Sequence, residues 1–147
     1  MNILYFLTPK SETAFLNADS TVRQALEKMR FYGYSAIPLV DGKGHYAGTI
    51  AEGDFLWGLM DRFQGEIHDL DHTMLRDIPR RHDLQPVHID AQIDEMLERA
   101  LHQNFVPVVD DNEIFIGIVR RQDILQFYLD AMRKTECHWR GGQAVGA

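Results

Sequence analysis

Ile37-Pro38-Leu39-Val40-Asp41 returns 69 residues later as Val106-Pro107-Val108-Val109-Asp110. The match extends beyond the pentapeptide. Gly48 follows Pro38 by ten residues and Gly117 follows Pro107 by ten, and Asp54 and Asp123 each lie six further on. Three anchors held in one register mark a tandem repeat, which has to be recognised before any single element is assigned.

The surroundings of the anchors repeat as well. Val22, Ala25, Leu26 and Met29 fall at i, i+3, i+4 and i+7, the apolar stripe of a helix lying on a core, and Ile93, Met96, Leu97 and Ala100 reproduce it. Ser20 and Asp90 stand where N-caps are expected. Strands are predicted at 36–40 and 46–50 around the turn Asp41-Gly42-Lys43-Gly44. Their counterparts are 105–109 and 115–119 around Asp110-Asp111-Asn112-Glu113. Closing helices are predicted over 52–61 and 121–134, and short opening strands at 14–16 and 87–89. Each unit thus reads strand, helix, strand, strand, helix, and the fold class is α/β of the α+β type. The spacing also differs in one place: Met29 to Pro38 is nine residues but Ala100 to Pro107 only seven, so the two corners differ in shape.

These elements divide the chain into a first repeat at 8–61, a polar connector at 62–85 with a short helix near 73–76, a second repeat at 86–134, and a small, flexible tail at 135–147. Of 147 residues 45% are apolar, enough for a core of this size. The net charge of −7 argues against nucleic acid and anionic membrane as partners, since both are bound by basic surfaces. Apolar runs are too short to cross a bilayer, and the first nine residues lack the basic and apolar regions of a signal peptide. A lone Cys137 fits a reducing, cytoplasmic setting.

The duplicated apolar-Pro-apolar-Val-Asp, with its glycine and aspartate in fixed register, resembles a pair of CBS domains, the arrangement called a Bateman module. The resemblance covers roughly residues 8–134. It implies two repeats packed through their sheets about a pseudo-twofold axis, frequent homodimerisation into a disc, adenosine-containing ligands in the clefts between repeats, and no catalysis. A narrower likeness, carried by Tyr34-Ser35-Ala36-Ile37-Pro38, Met74-Leu75-Arg76-Asp77-Ile78-Pro79-Arg80 and Phe115-Ile116-Gly117-Ile118-Val119-Arg120-Arg121, is to stand-alone cyclic di-AMP-binding proteins of Gram-positive bacteria.

The family's ribose motif, Gly-x-x-Thr/Ser-x-x-Asp, appears here as Gly48-Thr49-Ile50-Ala51-Glu52-Gly53-Asp54 and Gly117-Ile118-Val119-Arg120-Arg121-Gln122-Asp123. The resemblance assigns both aspartates to a ribose diol, which a carboxylate can bind through its two acceptor oxygens. The hydroxyl residue is replaced, by Ala51 in one repeat and Arg120 in the other. By the same resemblance one cleft is formed by Thr13, Ala14, Tyr34, Ser35, Ala36, Ile37, Asn104, Phe105, Ile118, Arg120, Arg121 and Asp123. The other is formed by Thr49, Asp54, Val87, His88 and Val106. The first is favoured because Arg120-Arg121, with Arg80-Arg81 folding toward it, supplies cations for phosphate.

The expectation is therefore a regulatory module that binds AMP, ADP or ATP and signals in trans to a protein partner. The vicinal diol that two retained aspartates would read is missing from cyclic di-AMP, which is the alternative ligand. A ligand-free dimerising scaffold is the alternative of another class. No cofactor, metal or catalytic residue is expected. His68 and His72 with Asp69 and Asp71 read as connector surface, His82 and His88 as surface or cleft edge, and Cys137-His138-Trp139 as neighbours that do not face one another. Phe55, Trp57, Phe127 and Tyr128 in the closing helices suit either core or an interface.

Overall fold

The structure is a computed structural model that describes residues 2–62, 70–81 and 83–145, with the backbone alone for Arg62 and residues 137–145. His68, Asp69 and His82 lie outside the described residues. Seven strands and four α-helices follow one another as β1 (Leu7–Pro9), β2 (Leu16–Asn17), α1 (Val22–Tyr32), β3 (Ala36–Val40), β4 (Tyr46–Ala51), α2 (Glu52–Arg62), β5 (Val87–His88), α3 (Ile93–His102), β6 (Phe105–Val109), β7 (Phe115–Arg120) and α4 (Arg121–Val145).

The strands form two sheets, β2-β3-β4 and β1-β7-β6-β5. Each opening strand is parallel to the Pro-containing strand, which in turn is antiparallel to the next. Even the irregularities repeat: the register shifts between Leu39 and Val40, and again between Val108 and Val109. The sheets meet at a bridge between His45 and Ile114, where the Phe115 N–H donates to the Gly44 carbonyl at 2.9 Å.

Each repeat builds its own core but borrows its last members from sequence assigned elsewhere. Val22, Ala25, Met29, Ile37, Leu39, Ile50 and Phe55 pack with Leu75 and Ile78 of the connector. Val87, Met96, Ala100, Val106, Val108 and Ile124 pack with Ile3 and Phe6 from the N-terminus. Residues 3–6 form a 3-10 turn, and β1 then adds an antiparallel strand to the outer edge of β7, pairing Thr8 with Ile118. The glycines of the repeat follow from these crossings. Gly117 has φ +155° and a Cβ there would strike the Thr8 carbonyl; Gly48 has φ +129° and a Cβ there would sit 2.6 Å from Asp83 Oδ1.

Helix assignments correct the expectation in four places. Thr21, not Ser20, caps α1: its hydroxyl accepts from the Gln24 N–H while the Gln24 side chain accepts from the Thr21 N–H, a reciprocal capping box. The α3 cap is Gln92, without a side-chain bond, because the chain turns from His88 to Ala91 before the helix begins and leaves Asp90 outside it. Residues 135–145, set apart as a loose tail, continue α4. No proline interrupts them, and Glu136, Arg140, Gln143 and Ala144 are good helix formers. The connector helix reduces to a 3-10 turn, Leu75–Asp77.

Candidate functional site

A cleft of about 560 Å³ opens between the repeats, within the range of small-molecule sites. Thr13 and Ala14 enter it ahead of β2, Tyr34, Ser35 and Ala36 from the α1–β3 corner, and Asn104 and Phe105 from the α3–β6 corner. Ile118 and Arg120 enter from β7, and Arg121 from the start of α4. Ten of the twelve residues expected here line it. Ile37 does not: it is fully buried in the first core, because alternate residues of β3 face opposite sides. Asp123 lines a separate hollow beside Tyr5, Leu7 and Thr8.

The local backbone explains why the corners reach the cleft. Gly33 (φ +71°) ends α1 in the left-handed conformation and its N–H returns to the Met29 carbonyl at 2.8 Å. The chain that follows carries Tyr34 into the cleft, its ring stacked on Tyr32 at 5.8 Å between centroids. Ser35 and Asn104 accept, through their carbonyls, the N–H groups of Glu52 and Arg121, each at 2.9 Å. Each corner is thereby tied to the first residue of a closing helix. Thr13 is fixed by its hydroxyl, which donates to the Pro9 carbonyl at 2.9 Å.

The two arginines are differently committed. Arg121 Nε donates to the Ala100 carbonyl at 2.6 Å and Nη1 to Asn104 Oδ1 at 3.2 Å, which holds the guanidinium across the corner of the second repeat. Arg120 makes a two-pronged pair with Asp123, Nε to Oδ2 and Nη2 to Oδ1, both at 2.9 Å. That hydrogen bond keeps the guanidinium more firmly protonated than usual. Arg80 and Arg81 do not fold toward this cleft. Arg80 binds Asp83 and the Ala47 carbonyl, and Arg81 lies over the Trp57 ring at 5.1 Å, both on the first repeat.

Most of the second set is enclosed by the protein itself. Val87 and Val106 are core, and His88 faces Glu113 at 3.1 Å. Thr49 and Asp54 are buried in a network supplied by the connector. Asp54, 5% exposed, accepts from the N–H groups of Ala51 and Arg81 at 2.9 and 3.0 Å. Tyr46 bonds Thr49 Oγ1 at 2.6 Å and donates to the Leu84 carbonyl at 2.7 Å, and burial pushes its phenol well above the usual range.

Pro38, Gln122, Leu125, Gln126 and Leu129 also line the cleft and were not foreseen as ligand residues. The α4 members follow a helical period from Gln122, a stripe legible in the sequence but masked by the adjacent Phe127 and Tyr128. Phe127 packs edge-to-face on Phe6 and Phe55 is core, whereas Trp57 and Tyr128 remain exposed. Among the described residues one group, His88, Asp90 and Asp111, brings possible metal-ligand atoms within 4.8 Å of one another, all on exposed residues. No helix is long and apolar enough to cross a membrane among the described residues.

Comparison with known proteins places these features. The family model described as CBS domain matches residues 8–61 and 75–130. Cyclic di-AMP receptor B of Bacillus subtilis is 26% identical over 126 residues, 82% of each chain. An uncharacterized protein of Methanopyrus kandleri is 33% identical over 101 residues, 67% of this chain and 49% of that protein. Among solved structures, CbpB in complex with c-di-AMP superposes with TM-score 0.82 at 18% identity, covering 94% of this chain and 91% of that one. CBSX2 in complex with AMP superposes with TM-score 0.70 at 19% identity, covering 89% and 98%.

Proposed function

The chain belongs to the CBS domain family, and on that premise we propose that it is a regulatory rather than catalytic module that binds an adenine nucleotide in the cleft between its repeats. Cyclic di-AMP is the ligand placed first. The observation that carries this reading is the cleft itself: apolar walls from Ala36, Pro38, Phe105 and Ile118, the Tyr34 ring, and two arginines beside the N-terminus of α4. Such a site offers a base an apolar slot and a phosphate a cationic end. The relative that matches 82% of the chain is a cyclic di-AMP receptor.

A linear nucleotide such as AMP is the second reading, supported by the two aspartates retained in the motif and by the AMP complex of one structural neighbour. Output would act in trans. Leu125 and Leu129 both line the cleft and belong to a largely exposed apolar face of α4, so a second copy or a partner resting there would feel the ligand directly. Isothermal titration of nucleotide-stripped protein with cyclic di-AMP, AMP, ADP, ATP and GMP tests the proposal. Saturable binding of an adenine ligand with no GMP response is expected. Silence from all five removes the sensor reading in favour of a dimerising scaffold.

A further inference from the structure

We infer that Arg120 decides which class of adenine nucleotide the cleft accepts: by holding both oxygens of Asp123 it competes with a free ribose 2′,3′-diol for that carboxylate. The inference rests on the nucleotide reading above and deepens it.

Three observations carry it. Arg120 occupies the position at which the motif otherwise has a hydroxyl residue, the last of β7, three residues before Asp123 in the first turn of α4. From there its planar fork meets the carboxylate through two bonds at 2.9 Å, one to each oxygen, so the acceptors a diol would use are both engaged. Finally, Arg120 lines the cleft while Asp123 lines the adjoining hollow beside β1. Arg120, not Asp123, is the member of the pair that lines the cleft.

The first repeat shows that this arrangement is particular to Arg120. Ala51, at the matching position, offers only a methyl group, and Asp54 is bound by two backbone N–H groups instead. Both members of the Arg120–Asp123 pair are partly exposed, so the pair adds little to stability. A linear nucleotide would have to compete with a two-pronged, charge-assisted contact for its diol to be bound. A cyclic dinucleotide with esterified 3′-oxygens asks for no such exchange and meets a cation at the cleft wall.

The test is titration of AMP, 3′-deoxy-AMP and cyclic di-AMP into the wild type, Arg120→Thr and Arg120→Thr/Asp123→Asn, with thermal melting as a check on folding. In the wild type, AMP and 3′-deoxy-AMP are expected to bind within twofold of each other. Arg120→Thr frees Asp123, and AMP should then bind at least about tenfold tighter than its 3′-deoxy analogue, the factor that hydrogen bonds to a charged group supply. The preference should vanish in the double variant. A wild type that already prefers AMP tenfold, or an Arg120→Thr variant with no preference, overturns the inference while leaving nucleotide binding in place. Absence of any binding, cyclic di-AMP included, in all three proteins overturns the nucleotide reading and this inference with it.

Discussion

Gln103 stands in the second repeat where Tyr34 stands in the first, each four residues before its strand proline, and the two side chains do opposite things. Tyr34 lines an open cleft. Gln103 is buried and stitches its own corner shut, accepting from the Gln85 N–H at 3.0 Å and donating to the carbonyls of Gln85 and Phe105 at 3.2 and 3.3 Å. The corner is two residues shorter on this side, so the residue that would look outward turns inward and satisfies the connector's backbone.

Replacing Gln103 by Leu should therefore cost about 1–3 kcal/mol, since the Gln85 N–H and carbonyl lose their partner. Thermal unfolding and urea titration measure this directly. An unchanged midpoint would show that water serves the backbone equally well and that Gln103 is no plug.

The N-terminus makes a sharper stability prediction. Ile3 is fully buried in the core of the second repeat although it precedes the first, and residues 3–9 cover the edge strand β7. Ile3→Ala should destabilise the whole protein by about 2–5 kcal/mol, the range for emptying an aliphatic side chain from a core. A loss confined to a few tenths, read from the urea midpoint at unchanged slope, would mean that the segment is only loosely attached.

Arg121 tests the phosphate end of the cleft. Its Nε and Nη1 are committed to the protein, so the head is pre-aimed. Arg121→Ala should weaken cyclic di-AMP at least about tenfold. Arg121→Lys should recover only part of that, because an ammonium cannot span Ala100, Asn104 and a phosphate together. Full recovery by lysine would show that charge alone matters. Asp123→Asn should act in the other direction: with its carboxylate gone, Arg120 is released to the ligand, and cyclic di-AMP should tighten several-fold at low salt.

Much of this was legible in the sequence, and the limits have physical causes. The repeat located β3, β4, β6 and β7 nearly to the residue, because alternation and turn chemistry are local. Ten residues that line the cleft followed from the family resemblance. The exchange of end segments was not legible: Ile3, Phe6, Leu75 and Ile78 complete cores that lie far along the chain, and nothing in their local pattern says which. Nor was the fate of the aspartates, since Asp54 is claimed by backbone from the connector and Asp123 by a substitution whose consequence depends on side-chain geometry.

The outward face of α4 offers the last prediction. Met132 is 63% exposed, one turn beyond the cleft-lining Leu129, and Met60 on α2 is equally open. In a homodimer formed through these closing helices, Met132→Glu would place a charge where apolar surface is buried and should shift the protein toward monomer in sedimentation, without altering its fold. Linkage then constrains the ligand: whatever factor cyclic di-AMP adds to dimer affinity, dimerisation adds to cyclic di-AMP affinity. Wild-type protein should thus bind the nucleotide more tightly as its own concentration rises through the dimer transition, and Met132→Glu should hold a constant, weaker affinity. Identical affinities at all concentrations would uncouple this face from the cleft and leave its apolar residues to a different protein.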